Sequence, residues 1–573
     1  MTRSLLLLLS AVSLAAAQSS APPRDQAAPD TAALMLHSTI RFEDATAQSG
    51  IHFVHSIGSA KLGSLLEGTG GGCLWFDYNN SGRPSLYVIS GRPLADSMHP
   101  YPLKVKPNPP PHNHLYRNDG SGHFTDVTTE SGLDPNMYGV AVTAADYDND
   151  GYQDLLVTGY GKVVLYHNNG DGTFTDVTAK AGIKVNGWAI SSTWLDYDKD
   201  GCVDLFVGRY VKFDPSYHAY YAADNYPGPL DYAGETNMLF HNNCDGTFTD
   251  VSDKSGIGAS IGRTMGVTAA DFDNDGWDDI YVTNDSTQNF LFHNEHNGTF
   301  KEIANETGSA YGQDGEATSS MGPVAADFWN RGVLDLWVTD GSYNRFLRNL
   351  GAPQLGDPSS RSDWKGFEDV TAAARISQTD AQYVSWGSGV DDFDNDGSLD
   401  ILVFHGGLIH MIPQEHTVFR GLGNGKFADV SEQGGQVLNN RTVARGACFA
   451  DYDNDGKVDA YVVNLGAEGT LLHNVSTHTG HWVEIKLIGT KSNRDGIGAR
   501  IEVFAGGMRR TAERVASSGY LSQDDGRVHF GLGAATVIDK LIVRWPSGDV
   551  QTLTDQPVDR VLTVQEPGER KSR

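Results

Sequence analysis

The feature that most constrains this chain is a nine-residue acidic loop, Asp-x-Asp-x-Asp-Gly-x-x-Asp, which recurs along it and each time runs into a short β-type stretch. Five copies are complete: DYDNDGYQDLLV from Asp146, DYDKDGCVDLFV from Asp196, DFDNDGWDDIYV from Asp271, DFDNDGSLDILV from Asp392 and DYDNDGKVDAYV from Asp451. Two are degenerate, DYNNSGRPSLYV from Asp77 and DFWNRGVLDLWV from Asp327. The starts lie 50 to 75 residues apart, too far for a short stacked coil and suited to four-stranded units with variable loops.

A second motif lies between successive copies of the first: Leu-aromatic-His-Asn, a Gly turn, then Phe-x-Asp-Val-Thr. LYHNNGDGTFTDVT from Leu165 is the cleanest case; Leu115, Leu239 and Leu291 begin close variants. Alternating apolar residues about a Gly turn read as a β-hairpin. Each repeat therefore reads as strand A, acidic loop, strand B, variable loop, strand C, tight turn and strand D. The last repeat lacks its Phe-x-Asp-Val strand after Leu471, whereas an unmatched FEDAT begins at Phe42. A ring closed by the N-terminal strand explains both, and closure removes exposed edge strands. The expected fold is all-β, a seven-bladed β-propeller over residues 36–476 with metal-binding A–B loops, followed by a small β-rich C-terminal domain over 477–566 and a tail at 567–573.

Alternate Asp residues bring carboxylates to one point, Gly at the sixth position allows the sharp turn, and the seventh carbonyl and ninth Asp complete an oxygen shell. Such a shell suits Ca²⁺, whereas Zn²⁺ prefers Cys or His. The expected ligands are Asp146, Asp148, Asp150 and Asp154; Asp196, Asp198, Asp200 and Asp204; Asp271, Asp273, Asp275 and Asp279; Asp392, Asp394, Asp396 and Asp400; and Asp451, Asp453, Asp455 and Asp459. The carbonyls of Tyr152, Cys202, Trp277, Ser398 and Lys457 join them, for about five calcium ions. An EF-hand is excluded because loop position twelve is Val157, Val207, Val282, Val403 or Val462 rather than Glu. Asp77, Asn79, Ser81 and Ser85 form a weaker candidate. The loop from Asp327 is expected to be metal-free, since Trp329 and Arg331 replace two ligands and Arg331 stands in for the cation.

At these motifs the chain resembles the FG-GAP/VCBS propellers, the group that includes integrin α-subunit heads. From His478 onward, HWVEIKLIG, NRDGIGARIEVFAGG, SSGYLSQDDGRVHFGLG and VRWPSGDVQTL resemble the ASPIC/UnbV domain. The combination is similar to the cartilage acidic protein family and its bacterial relatives, and it implies an extracellular calcium-binding protein.

The ends and the charge agree. Residues 1–17 read as a signal peptide, with Arg3 before an apolar run and Ala15-Ala16-Ala17 as cleavage site, and 18–35 as a linker. Export to the periplasm, cell surface or medium is expected. A net charge of -29 disfavours nucleic acid, and no later segment is apolar enough to insert in a membrane. The expected partner of this monomer is an extracellular glycan or protein, bound through the B–C loops. Those loops contain His99, His112 and His114, then Tyr217, Tyr220, Tyr221, Tyr226 and Tyr232, then His405, His410 and His416. The alternative is a polysaccharide lyase or hydrolase using the axial histidines and Glu67. No nucleophile elbow, phosphate-cradling loop or HExxH is present.

Seven small residues just before the acidic loops (Gly72, Ala141, Ser191, Gly266, Gly322, Gly387 and Gly446) fit a crowded central channel. Cys202, at loop position seven, and Cys244, in the C–D turn of the same repeat, are expected to form a disulfide. Cys73 and Cys448 are expected to remain thiols, pointing to opposite faces of neighbouring sheets.

Overall fold

In most repeats the strand before the acidic loop is made of small and apolar residues without alternation, as in Tyr138–Ala145, because both of its faces are covered; Arg445 in Ala444–Ala450 and Asp391 in Ser385–Asp391 are the charged exceptions. The outermost strand buries only its leading aromatic, as in Phe174–Asp176. The computed structural model describes residues 40–93, 103, 110–217, 227–351, 364–376, 381–408, 410–477 and 479–569. The signal peptide and linker, His99, Tyr220, Tyr221 and Tyr226 lie outside them.

The chain is all-β, and its repeats each form a four-stranded antiparallel sheet. The innermost strands are Cys73–Phe76, Tyr138–Ala145, Ala189–Leu195, Thr264–Ala270, Ser320–Ala326, Ser385–Asp391 and Ala444–Ala450. We number the sheets 1 to 7 in that order, and their acidic loops likewise. Each inner strand packs beside the next, and that of sheet 7 returns to that of sheet 1. The outer strand of sheet 7 is Phe42–Asp44, paired antiparallel with Thr470–Asn474 in the register Phe42↔Asn474. Within the Phe-x-Asp-Val-Thr motif the Asp is a turn residue: Asp126, Asp176 and Asp250 accept the amides of Thr128, Thr178 and Ser252 at 3.0 Å. The single helical turn so started ends on a left-handed glycine, Gly132, Gly182 or Gly256.

The C-terminal region is two sheets face to face. One sets His481–Ile488 between Val528–Gly533 and Arg560–Gln565; the other has the order Met508–Glu513, Arg500–Ala505, Val537–Arg544, Val550–Pro557. Val483, Ile485, Ile501, Val503, Phe530, Leu541 and Trp545 fill the space between them.

The connection from Glu513 to Val528 leaves this sandwich and enters the centre of the repeat sheets. Ser517 Oγ donates to Val267 O (2.9 Å), Gly519 N to Pro323 O (2.9 Å), Tyr520 Oη to Thr69 O (3.1 Å) and Asp525 N to Phe449 O (2.9 Å). Gln523 N donates to Cys73 O (3.1 Å), and its amide pairs with both backbone groups of Ala144 (2.8 and 3.2 Å). The ring of small residues acquires a specific cause here. A Cβ on Gly72 would lie 1.8 Å from Leu521 O, one on Gly322 2.6 Å from Tyr520 N, and one on Gly446 2.8 Å from Ser522 Oγ. At these three positions the axial segment sets the limit, whereas Gly266 and Gly387 are held by the adjacent inner strands, at Met321 O (2.3 Å) and Ala447 N (2.7 Å).

Two outcomes follow. Deletion through Thr46 leaves sheet 7 without its outer strand, and light scattering after gel filtration should show oligomers or aggregate; a folded monomer would contradict the closure. Gly72→Ala, which overpacks a rigid backbone contact, should lower the unfolding free energy by about 1–3 kcal/mol in denaturant titration.

Candidate metal centres

Loop 4 shows the construction most clearly. Gly276 takes φ 92°, open to glycine alone at little cost, and the turn brings Asp271, Asp273, Asp275 and Asp279 together with side chains almost wholly buried. Some carboxylate oxygens are held by the backbone: Gly276 N donates to Asp271 (2.9 Å), Asp275 N to Asp273 (3.1 Å) and Trp277 N to Asp275 (2.9 Å). Others have no hydrogen-bond partner, namely Asp271 Oδ1, Asp273 Oδ2 and Asp279 Oδ2, and in loop 3 Asp196 Oδ1 and Asp198 Oδ1. Buried, unpartnered carboxylate oxygens aimed at one point cost several kcal/mol unless a cation shares them. Burial first, and mutual repulsion second, push Asp273 to about 7, Asp204 to about 7 and Asp451 to about 8, and hold Asp196, Asp271 and Asp279 well above the carboxylate range. Burial and Asp495 of the C-terminal region take Asp146 to about 9.

The seventh peptide is set alike in all five complete loops. The amides of Tyr152, Cys202, Trp277, Ser398 and Lys457 donate to the fifth-position carboxylate at 2.8–2.9 Å. The seventh side chain meets the C–D turn of its own sheet. Trp277 stacks on His296 at 4.8 Å, while Cys202 and Cys244 are joined as a disulfide with Cα atoms 5.8 Å apart. The conserved-looking His-Asn pair of strand C also acquires two jobs. His167, His241, His293 and His473 place Nδ1 2.9–3.2 Å from the ninth-position carboxylates Asp154, Asp204, Asp279 and Asp459. The hydrogen bond to that carboxylate raises the pKa of His167, His241 and His473. The Asn amides of residues 118, 168, 242, 294, 349 and 474 each donate, at 2.7–3.0 Å, to the carbonyl of the second loop residue of an adjacent sheet: Tyr452, Tyr78, Tyr147, Tyr197, Phe272 and Phe393.

The fourth loop position was not legible as functional. Its Asn residues take left-handed φ of 54–62° and link loop to loop. Asn80 Nδ2 donates to Gly151 O (2.9 Å), Asn149 to Gly201 O (3.1 Å), Asn274 to Gly332 O (3.0 Å), Asn395 to Gly456 O (2.8 Å) and Asn454 to Gly82 O (3.3 Å). The Oδ1 atoms face the C-terminal region. Asn149 accepts from Arg494 N (2.7 Å), Asn274 from Arg500 (3.1 Å) and Asn454 from Arg527, while Asn395 meets His529 Nε2 at 2.7 Å. The recurrence of Asn before Asp-Gly, a left-handed turn signature, was the available signal.

Loops 1 and 5 lack the full set. Asp77 accepts Ser81 N (2.8 Å) and Gly82 N (2.9 Å) and faces Lys486 Nζ at 3.5 Å, Asn79 accepts from Ser81 N, and Ser85 Oγ accepts Asn118 N. In loop 5, Arg331 reaches Asp335 at 2.8 Å and Asn349 O at 2.9 Å. Loop 6 has the full Asp set but an arginine, Arg420, where the other complete loops carry histidine and the incomplete loops 1 and 5 carry Arg117 and Arg348.

Of the loop-face histidines, His405 is buried between Ser385 Oγ (3.1 Å) and Thr417 Oγ1 (3.0 Å), and His416 is buried beside Thr442 Oγ1 (3.2 Å). His410 is exposed, and His112 and His114 stack at 4.3 Å. Glu67 is buried, accepting Gly63 N. Tyr217 is half exposed and packs on the buried Tyr232. Cys73 and Cys448 are thiols, but the opposite-faces argument fails: both lie in one core layer with Trp75, Tyr452 and Tyr461. The face of sheet 7 toward sheet 1 and the face of sheet 1 toward sheet 7 bound the same space, so opposite faces converge.

With this geometry in hand, comparison with known proteins gives the class. The model of the FG-GAP-like repeat matches residues 77–157, 146–207, 228–282, 271–338 and 392–462, more than half of the chain, and the chain belongs to that family. The ASPIC and UnbV model matches residues 489–571. Among curated proteins the chain is similar to Cartilage acidic protein 1 of Xenopus tropicalis, 27% identical over 358 residues, which is 60% of this chain and 42% of that protein. It is 24% identical to the Mus musculus protein over 323 residues, 55% of this chain and 45% of that one. It thus spans less than half the length of these relatives. A structure on recognition of non-reducing terminal N-acetylglucosamine by an Agrocybe aegerita lectin matches with TM-score 0.36 and 16% identity, over 64% of this chain and 88% of that one. A Bacillus licheniformis rhamnogalacturonan lyase matches with TM-score 0.30 and 13% identity, over 93% and 92%.

Proposed function

We propose that this is an exported, calcium-stabilised seven-bladed propeller that acts as a binding module through the end opposite its acidic loops. The observation that carries the reading is the docking of the C-terminal region on the acidic-loop end, through Asn149, Asn274, Asn395 and Asn454. With that end covered, a partner meets the B–C loops, whose described parts present Ile412 (54% exposed), Leu408 (44%) and Tyr217 (43%). The partner class is an extracellular glycan or protein. The similarity to Cartilage acidic protein 1 supports an extracellular setting, and no described helix is long and apolar enough to cross a membrane.

Calcium fits loops 2, 3, 4 and 7. The donors are hard oxygens, the buried ones in loops 3 and 4 lack partners, and the neighbouring histidine is engaged with the ninth Asp. The bound ion would neutralise each cluster and hold four segments of one loop, and so would stabilise the sheet it closes. The rival lyase or hydrolase reading has no support in this geometry: His405 and His416 are interior residues of sheet 6, and the axial channel is filled by Ser517–Asp525.

Millimolar calcium should raise the melting temperature and EDTA lower it, and Asp273→Ala should lose much of the calcium increment while Asp327→Ala keeps it. Identical melting curves for calcium-loaded and EDTA-stripped protein, checked by elemental analysis, would sink the metal reading. A glycan array read in calcium and again in EDTA, with Ile412→Asp as the surface control, tests the binding face.

A further inference from the structure

Loop 6 carries the same five-position signature as loops 2, 3, 4 and 7, and three of its carboxylates are as deeply placed as those of loop 4, Asp392 (3% exposed), Asp394 (2%) and Asp400 (0%), while Asp396 is half-buried. Yet none of its buried oxygens is without a partner, unlike those of loops 3 and 4. Loops 2 and 7 have no such oxygen either, and what sets loop 6 apart from the other complete loops is the strand-C residue facing it. Arg420 pairs with Ala428 across the C–D hairpin, the same register position as His167 opposite Thr175 and His241 opposite Thr249. The histidine Nδ1 sits beside the ninth carboxylate and 3.2–3.9 Å from the third-position one. Arg420 is longer and forked, and it crosses the centre of the loop: Nε lies 2.9 Å from Asp394 Oδ2 and Nη2 lies 2.7 Å from Asp396 Oδ2. These are the third and fifth positions, two of the carboxylates a cation would need.

The ninth carboxylate is also engaged, accepting Gly421 N (2.7 Å) on one oxygen and Phe393 N (2.9 Å) on the other. The first, Asp392, accepts Asp396 N (2.9 Å) and Gly397 N (2.7 Å). A second guanidinium arrives from the C-terminal region. Arg510, 5% exposed, lies against the turn so closely that a Cβ on Gly397 would sit 1.9 Å from its Nη2, and it interacts electrostatically with Asp392 and Asp396 without hydrogen-bonding to them. A planar, permanently charged group bridging two carboxylates in a buried site is a strong and geometrically specific pairing. To enter, a divalent ion would have to evict Arg420 and then sit beside Arg510.

We propose that loop 6 holds no metal because Arg420 is its built-in cation, so that the protein binds four calcium ions where the aspartate spacing alone counts five. The inference rests on the calcium reading given above. It divides the propeller into an arc closed by forked arginines, sheets 5 and 6 through Arg331 and Arg420, and sheets 2, 3, 4 and 7 whose loops take the ion, loop 7 carrying in addition Lys457 on its fifth carboxylate, Asp455. In sheet 1, Lys486 supplies the charge beside Asp77.

Native mass spectrometry of the full chain in millimolar calcium tests this by counting ions. The wild-type protein should retain four, and Arg420→His, which installs the sibling residue, should retain five. Five ions on the wild-type protein would overturn the proposal, as would a count of four on a folded Arg420→His variant. A protein retaining no calcium would overturn the underlying reading and this inference with it, a result plainly different from five. Hydrogen exchange on the unmodified protein gives a second readout should the variant fold poorly. Residues 392–400 should keep their protection in EDTA while residues 271–279 lose theirs; equal loss in both loops would contradict the proposal.

Discussion

The interaction on which the rest of this structure depends is the repulsion among carboxylates crowded at one end of five of the seven repeat sheets. A turn of nine residues cannot bury four aspartates unless positive charge arrives from somewhere, since each loses hydration worth several kcal/mol. The chain answers in more than one way. Loops 1, 5 and 6 have lysine or arginine within reach, from Lys486, Arg331 and Arg420. Loops 2, 3, 4 and 7 have a strand-C histidine at the flank, joined by His296 in loop 4 and Lys457 in loop 7, and these are the loops proposed to take a hard cation.

Neutralised loops then become connectors. Five of the six Asn residues at the fourth position cross to the next loop, and each strand-C Asn crosses to the second residue of a neighbouring loop, so that a sheet is held to its neighbours by side-chain amides as well as by core packing. Both series pass between sheet 7 and sheet 1, through Asn454 to Gly82 and Asn118 to Tyr452. The C-terminal region reads the same surface from above and sends Ser517–Asp525 down the axis, where its backbone pairs with inner strands of several sheets. Arg500 illustrates the coupling: it touches Asp271 O (2.9 Å), Asn274 Oδ1 (3.1 Å) and Glu513 (3.1 Å), joining loop, connector and C-terminal strand.

Much of this was legible in the residues. The Asp-loop and His-Asn periodicities place the strands because both are local, and the stray FEDAT at Phe42 implied its partner at Leu471 by simple counting. What could not be read were contacts between segments distant in sequence. Gly72, Gly322 and Gly446 signalled a tight centre, but nothing local says that Leu521 and Tyr520 fill it. Arg420 looks like an ordinary exposed strand residue until the hairpin register swings it over Asp394. The thiols Cys73 and Cys448 were misplaced because strand alternation gives a face, whereas the curvature of the assembly decides which faces meet.

The central claim is that loops, connectors and axial segment form one cooperative unit set by the charge at the loops. Hydrogen exchange of residues 517–525, followed as calcium is withdrawn from the intact protein, tests it most directly. The account predicts that these amides lose protection together with those of loops 2, 3, 4 and 7. Persistent protection of 517–525 after those loops have opened would contradict it.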